Sequence, residues 1–281
     1  MHLAPLPPAA AVRMELRASE WITVAYFAYL AGAAAVVRGI GRRRRRRAIG
    51  TAVAVVIAVL TVAWFGTSAV LLRDGMPLVY ILLGYWLPAL LVTSTNQAFE
   101  RRLLSLDQRW LGIENVSAIG ERAPRRVIEL LELAYLFCYP MVPIGLACLY
   151  VAGLREESDR FWTAVLAAVF GCYGVLPWLP TRPPRAIEGE PMRSSALIRR
   201  VNLRVLGLAS IQLNTFPSGH VAASLATALA VCVRLPLAGL PLGLLALAIA
   251  IGSVVGRYHY AADALAGASL ALLGFVISRW V

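Results

Sequence analysis

Lysine is missing from this chain of 281 residues, so that all 27 of its basic side chains are arginine. Histidine is almost missing, at three residues, and cysteine is scarce, at four. Cys138, Cys148, Cys172 and Cys232 stand singly inside apolar runs. That spacing excludes a CxxC metal or redox motif and a secreted disulfide framework, leaving the cysteines as small core residues. The first 20 residues lack the basic start and apolar centre of a secretory signal, so the first apolar segment is expected to be retained. Acidic residues number only 15, which leaves a net charge of +12. An excess of that size can serve nucleic acid. Here, however, the arginines fall between apolar runs, as topology determinants and lipid head-group contacts do, and no nucleic-acid partner is expected.

What is present is apolar. Hydrophobic residues make up 59% of the chain and the mean hydropathy is +0.71, against about 45–50% apolar residues in soluble domains. Several runs reach the ~17–25 residues that span a bilayer core. The fold class expected is all-α, a polytopic transmembrane helical bundle of about eight spans, near 21–40, 48–72, 76–92, 127–151, 161–179, 217–233, 235–255 and 258–281. Three regions follow. Residues 1–92 form an N-terminal region with three candidate spans and an arginine-rich loop, 93–126 an interfacial amphipathic segment, and 127–281 the membrane domain that carries the chemistry. No internal repeat stands out.

Arg42 to Arg47 is an unbroken basic run between the first two spans, read as a positive-inside anchor. With eight spans, parity places 93–126, 180–216 and 252–258 on the same side as this run. Together with 38–47, those loops hold 20 of the 27 arginines. The expected location is a multi-pass protein of a bacterial-type inner (plasma) membrane, with the chemical motifs on the cytoplasmic face. In 95–126, Phe99, Leu103, Leu104, Leu106, Trp110 and Leu111 interleave with Arg101, Arg102, Asp107 and Arg109, a pattern that suits a helix lying in the interface or a plain connecting helix.

Two of the three histidines sit at the edges of apolar runs, in Thr215-Phe216-Pro217-Ser218-Gly219-His220 and in Arg257-Tyr258-His259-Tyr260-Ala261-Ala262-Asp263. Imidazole titrates near pH 6.5 and suits proton transfer or attack on phosphorus. Proline and small residues before the apolar run 221–233 read as a helix start, whose unpaired N–H groups and dipole favour an anion. Gly219 allows close approach of a phosphate, and Ser218 can donate a hydroxyl or simply cap the helix. His259 and Asp263 are four residues apart, which on a helix running from about Tyr258 puts both on one face. A carboxylate beside an imidazole fixes its tautomer and stabilises the imidazolium. A structural hydrogen-bonded pair and a two-His-one-carboxylate metal site are the other readings of that spacing. The latter is disfavoured by nearby arginines, which repel a cation and attract phosphate. Arg182, Arg185 and Arg257 supply the guanidinium groups that phosphoryl transfer needs for its equatorial oxygens.

The ordered set of Arg182-Pro183, Pro217-Ser218-Gly219-His220 and His259-x3-Asp263 followed by Gly267 resembles the type 2 phosphatidic acid phosphatase superfamily over about residues 127–281. Leu106-Asp107 to Gly112, followed by Tyr135, more weakly resembles its inositol-phosphorylceramide synthase-like branch. Two positions depart from the family pattern. Val175 stands where a lysine is usual, seven residues before the Arg-Pro, and Ser253 stands where an arginine is usual, six residues before the second histidine.

The resemblance implies a six-helix-type phosphatase core toward the C-terminus and a lipid phosphatase that needs no cofactor and no metal. In that reading His259 is the nucleophile, giving a phosphohistidine, and Asp263 orients it. His220 is the general acid, then the base. Arg182, with Arg185 or Arg257, holds the phosphoryl oxygens, and Ser218 and Gly219 complete the cradle. The expected substrate is a phosphomonoester or pyrophosphate of a membrane lipid, met in the bilayer, and no oligomeric state is implied. Two alternatives stay open: a lipid phosphotransferase using the same histidines, and a lipid or phosphate carrier without chemistry.

Overall fold

A computed structural model describes residues 15–65, 70–111, 122–189, 197–213 and 216–281. They form helices α1 (Ala18–Val36), α2 (Arg42–Trp64), α3 (Val70–Trp86), α4 (Gln97–Leu111), α5 (Arg125–Leu136), α6 (Met141–Val151) and α7 (Ser158–Tyr173). The one-turn α8 (Arg185–Glu188), α9 (Leu197–Ala209), α10 (Gly219–Cys232), α11 (Pro236–Val255) and α12 (Ala261–Ser278) complete the set. Helices and no extended strands among the described residues make this an all-α polytopic bundle. Thr215 and Gly112, parts of two of the motifs, lie outside the described residues.

The number of spans is smaller than the hydropathy of the sequence suggests. Among the described residues, four helical stretches are long and apolar enough to cross a membrane: Arg42–Trp64, Val70–Leu91, Pro236–Val255 and Ala261–Ser278. A fifth is obtained if α5 and α6, which meet at 67°, count as one span. The expected run 127–151 breaks because Phe137–Pro140 end the first helix, and Pro140, which has no N–H to continue it, precedes the second. The run near 161–179 yields α7, only 16 residues long, and 217–233 yields α10, only 14. α7 is apolar for a different reason: 12 of its residues are buried by its neighbours, which cover it on all sides.

α7 is the axis of the bundle, packed against α12, α10, α1 and α3. Its Phe170 stacks on Tyr26 of α1, with ring centroids 4.2 Å apart. Gly84 of α3 lies so close that a Cβ there would stand 2.7 Å from the Phe170 ring. At one end of the bundle, buried Asp74 of α3 takes Arg17, Arg155 and the Tyr150 hydroxyl, and the indole of buried Trp162 donates to the Asp74 carbonyl at 2.8 Å. Polar ties of this kind lock the N-terminal helices to α6 and α7.

The other end carries the motifs. Arg44 and Arg45, from the basic run, donate to the carbonyls of Ala35, Val37, Ala89 and Val92, closing the ends of α1 and of the 3-10 turn Leu87–Leu91. Asn96 N–H then donates to the Pro180 carbonyl at 2.9 Å, and Thr181 N–H to that of Leu213 at 3.1 Å. The basic run and both histidine motifs therefore share one end of the molecule. That proximity is seen directly, whereas the parity argument for a cytoplasmic face assumed eight spans.

Candidate active site

α10 begins where Pro217 and the small residues predict. Ser218 is its N-cap, with extended backbone, and the hydroxyl accepts a bond from Val221 N–H at 3.4 Å. Ser218 is wholly buried and its hydroxyl serves the helix rather than the cleft. Gly219 lines the cleft, where a Cβ would stand 2.5 Å from the ring of Tyr173. His220 follows, half-buried, its ring flanked edge-on by Tyr135 and Tyr139 at 5.6 and 5.5 Å between centroids.

His259 does not lie on α12. The helix starts at Ala261 with Tyr260 as N-cap, so Asp263 is the third helical residue and closes a capping box: its Oδ2 accepts Tyr260 N–H at 3.0 Å. The same oxygen meets His259 Nδ1 at 3.3 Å. The pair expected on one helix face is instead formed across a helix start. Arg257, at φ 63, turns the chain there through the left-handed region, sparsely populated by residues with a side chain. Both Tyr258 N–H and His259 N–H return to the carbonyl of Ser253, at 2.9 and 3.0 Å.

Two contacts join the motifs. Ser218 N–H donates to the Asp263 carbonyl at 3.0 Å, and a Cβ at Gly267 would stand 2.4 Å from the Ser218 carbonyl oxygen. The rings of His220 and His259 come to 5.9 Å between centroids, crossed at 77°. They line a narrow cleft with Gly219, Arg185, Pro183 and the tyrosines Tyr85, Tyr135, Tyr173 and Tyr258.

Of the three arginines, Arg185 alone lines this cleft, its guanidinium 5.2 Å over the Tyr258 ring. Arg182 is turned to Glu100 of α4, which its backbone N–H and side chain grip at 2.9 and 2.8 Å. Burial raises the Glu100 carboxyl, but the bonds from Arg182 prevail and hold it below its usual value. Arg257 is buried and paired with Glu188 of α8. Arg185 N–H in turn donates to the Arg257 carbonyl at 3.3 Å. Ser253, where the resemblance leads one to expect arginine, is fully buried under the loop that carries His259.

α4 packs behind the turn that leads into α12. Its buried face is Glu100, Leu103 and Asp107. Leu103 packs with Tyr260 and Phe216, and Asp107 Oδ1 accepts Ala261 N–H at 2.9 Å, capping α12 from outside. Burial, reinforced by the charge of Asp263, lifts the Asp107 carboxyl to about 6.

A second cavity, of about 280 Å³, opens from the cleft and shares Tyr85, Tyr173, Ser210, Gly219 and His220 with it. Its remaining walls are apolar: Leu78, Ile81 and Leu82 of α3, and Val142 and Pro143 just past the α5–α6 bend. Of the residues expected from the sequence, the structure brings together His220, His259, Asp263, Gly219 and Arg185. Sequence reasoning misses the tyrosine walls, the carboxylates that hold Arg182 and Arg257, and this cavity, because their members are far apart in the chain and share no period. Only Tyr258, beside His259, offered a local signal. Among the described residues no three His, Cys, Asp or Glu side chains converge on a possible metal position.

The family model described as the PAP2 superfamily matches residues 101–277. No curated protein and no solved structure matches the chain.

Proposed function

Given that the chain belongs to the PAP2 superfamily, whose members are phosphatase-type enzymes, we propose that it is an integral membrane lipid phosphatase acting through a phosphohistidine. The observation that carries this reading is that His220, His259 and Arg185 line one cleft while Asp263 holds Nδ1 of His259.

In this reading Nε2 of His259 attacks phosphorus. The P–O bond to the lipid alcohol breaks, and His220, whose ring burial and the neighbouring His259 hold neutral, takes the proton of the phosphate monoester and passes it to the departing alkoxide. Asp263 fixes the tautomer of His259 and stabilises the positive charge that the ring acquires. Neutral His220 next takes a proton from water, whose oxygen attacks the phosphohistidine and releases phosphate. Arg185 and the first N–H groups of α10 bind the equatorial oxygens, where negative charge is spread. Arg182 and Arg257 act at one remove: Arg182 ties the segment before α8 to α4, and Arg257 ties α8, which carries Arg185, to the turn before α12. A lipid substrate is favoured because the apolar cavity reaches His220, the group assigned to protonate the leaving alcohol. The basic run at the same end of the bundle favours a cytoplasmic site.

The test is release of inorganic phosphate from a panel of lipid phosphates, with chelator present, by wild type and by His259→Ala. Release by wild type alone, with an acid-labile phosphoenzyme trapped only there, is expected. Equal release by His259→Ala would refute the mechanism. No inorganic phosphate from any lipid, together with a phosphorylated alcohol when an alcohol is added, would make the protein a phosphotransferase.

A further inference from the structure

Next to the cleft, a knot of buried polar groups has no part in the roles just assigned. Glu132 of α5 is its centre. Oε1 accepts Nη1 of Arg199 at 2.7 Å, and Oε2 accepts Nδ2 of Asn202 at 2.8 Å and the Tyr258 hydroxyl at 2.6 Å. Asn202 also donates to the Glu132 carbonyl at 2.8 Å, and Arg199 to that of Gly256 at 3.2 Å. Glu132, Arg199, Asn202 and Tyr258 are all 3% exposed or less, so each would pay heavily for a lost partner. α5, α9 and the turn before α12 thus meet on one carboxylate.

A buried ion pair is weak ground for stability, since apolar side chains of similar volume often hold a fold equally well. What such a knot does supply is fixed geometry, and here the geometry leads to both histidines. Tyr258 precedes His259 in the chain. Its ring stacks on that of Tyr135, with centroids 4.0 Å apart and planes within 2°, and Tyr135 presses edge-on against His220 at 84°. On the far side of His259, the Tyr260 hydroxyl donates to the Arg182 carbonyl at 3.1 Å. The two tyrosines of Tyr258-His259-Tyr260 are pegs driven into different walls, with the histidine between them.

We propose that Glu132 is a positioning residue for the reaction. Through the Tyr258 hydroxyl it fixes the backbone that presents His259, and through the Tyr258–Tyr135 stack it sets the ring of His220. Glu132 touches no substrate. The inference rests on the phosphohistidine reading above.

Tyr258→Phe tests it with little risk to the fold. The ring and its stack remain, only the hydroxyl is removed, and Glu132 keeps Arg199 and Asn202. The assay is phosphate release from a short-chain phosphatidic acid in detergent, with thermal unfolding followed in parallel. A misplacement of about 1 Å costs on the order of 10²-fold in rate, so kcat is expected to fall ~10-fold or more with KM within about twofold. Inhibition by vanadate, which copies the five-coordinate transition state, should weaken by about the same factor as kcat, while inhibition by inorganic phosphate stays within about twofold. A purely structural hydroxyl would move the unfolding temperature and neither ratio. Wild-type kcat and vanadate affinity in Tyr258→Phe would overturn the positioning role and leave the phosphohistidine reading intact. Absence from wild type of both phosphate release and any phosphoenzyme, with every lipid phosphate of the panel and with an alcohol added, would overturn both.

Discussion

Gly267 gives the sharpest test of how the two histidine motifs are registered. A methyl group added there would stand 2.4 Å from the carbonyl oxygen of Ser218, where ordinary contact begins at 3.4 Å, a deficit of about 1 Å. The obstacle is backbone, and it belongs to the N-cap of α10, so no side chain can swing away. Gly267→Ala must therefore push α10 and α12 apart by most of that distance. The Ser218–Asp263 backbone bond, 3.0 Å long, stretches with them. Overpacking of this kind costs about 1–3 kcal/mol, which a bundle of this size can absorb. Catalysis cannot. His220 rides on α10 and His259 on the turn that leads into α12, so a separation growing by about 1 Å predicts a loss on the order of 10²-fold in kcat. Gly243→Ala is the control: it lies in α11, and a Cβ there meets nothing within 4 Å. Phosphate release and thermal unfolding in detergent would be measured for both. Gly267→Ala turning over within about twofold of wild type would refute the claim that this contact sets the register.

Two further predictions concern the surroundings of the site. The carboxyl of Asp107 is raised from 3.8 to about 6 in the fold. The stability that its protonated form contributes is therefore present below about pH 4 and lost as the pH rises through about 6. Thermal unfolding across that window should show wild type falling more steeply than Asp107→Asn, and parallel curves would show that Asp107 is not the group responsible. Ser253→Arg, which restores the residue usual in the family, places a long cation at a position with no exposure, beneath the carbonyl that holds Tyr258 and His259. It is expected to lose folded, monodisperse protein or, failing that, turnover. A folded and more active variant would show that the loop opens to admit it.

Much of the site was readable because its chemistry is local. Pro217 and Ser218 announce the start of α10, and the spacing of His259 and Asp263 announces their contact, although the contact is made by a capping turn rather than along a helix face. In the sequence Arg182 came first, with Arg185 or Arg257 beside it. What separates Arg185 from Arg182 and Arg257 is the position of Glu100 and Glu188, set by tertiary packing that no period or spacing encodes. The same holds for Glu132, which lies 126 positions from Tyr258. The fold class followed from composition, but the number of spans did not. Hydropathy measures how apolar a segment is, and α7 is apolar because other helices surround it, a condition indistinguishable in one dimension from being surrounded by lipid.

The stack of Tyr26 on Phe170, and the approach of Gly84 to the same ring, have a consequence for how far this catalytic unit can be carried elsewhere. The helix at the centre of the bundle, which brings Tyr173 to the cleft, shares one apolar core with residues of the first three helices. A chain cut before α4 would keep every histidine, arginine and aspartate of the proposed chemistry. It would also leave Trp162 and Phe170 with one side bare and Asp74, the partner of Arg155, gone. The leading helices are thus a built-in scaffold rather than a detachable anchor. Fusions and truncations that aim for a minimal enzyme should spare them.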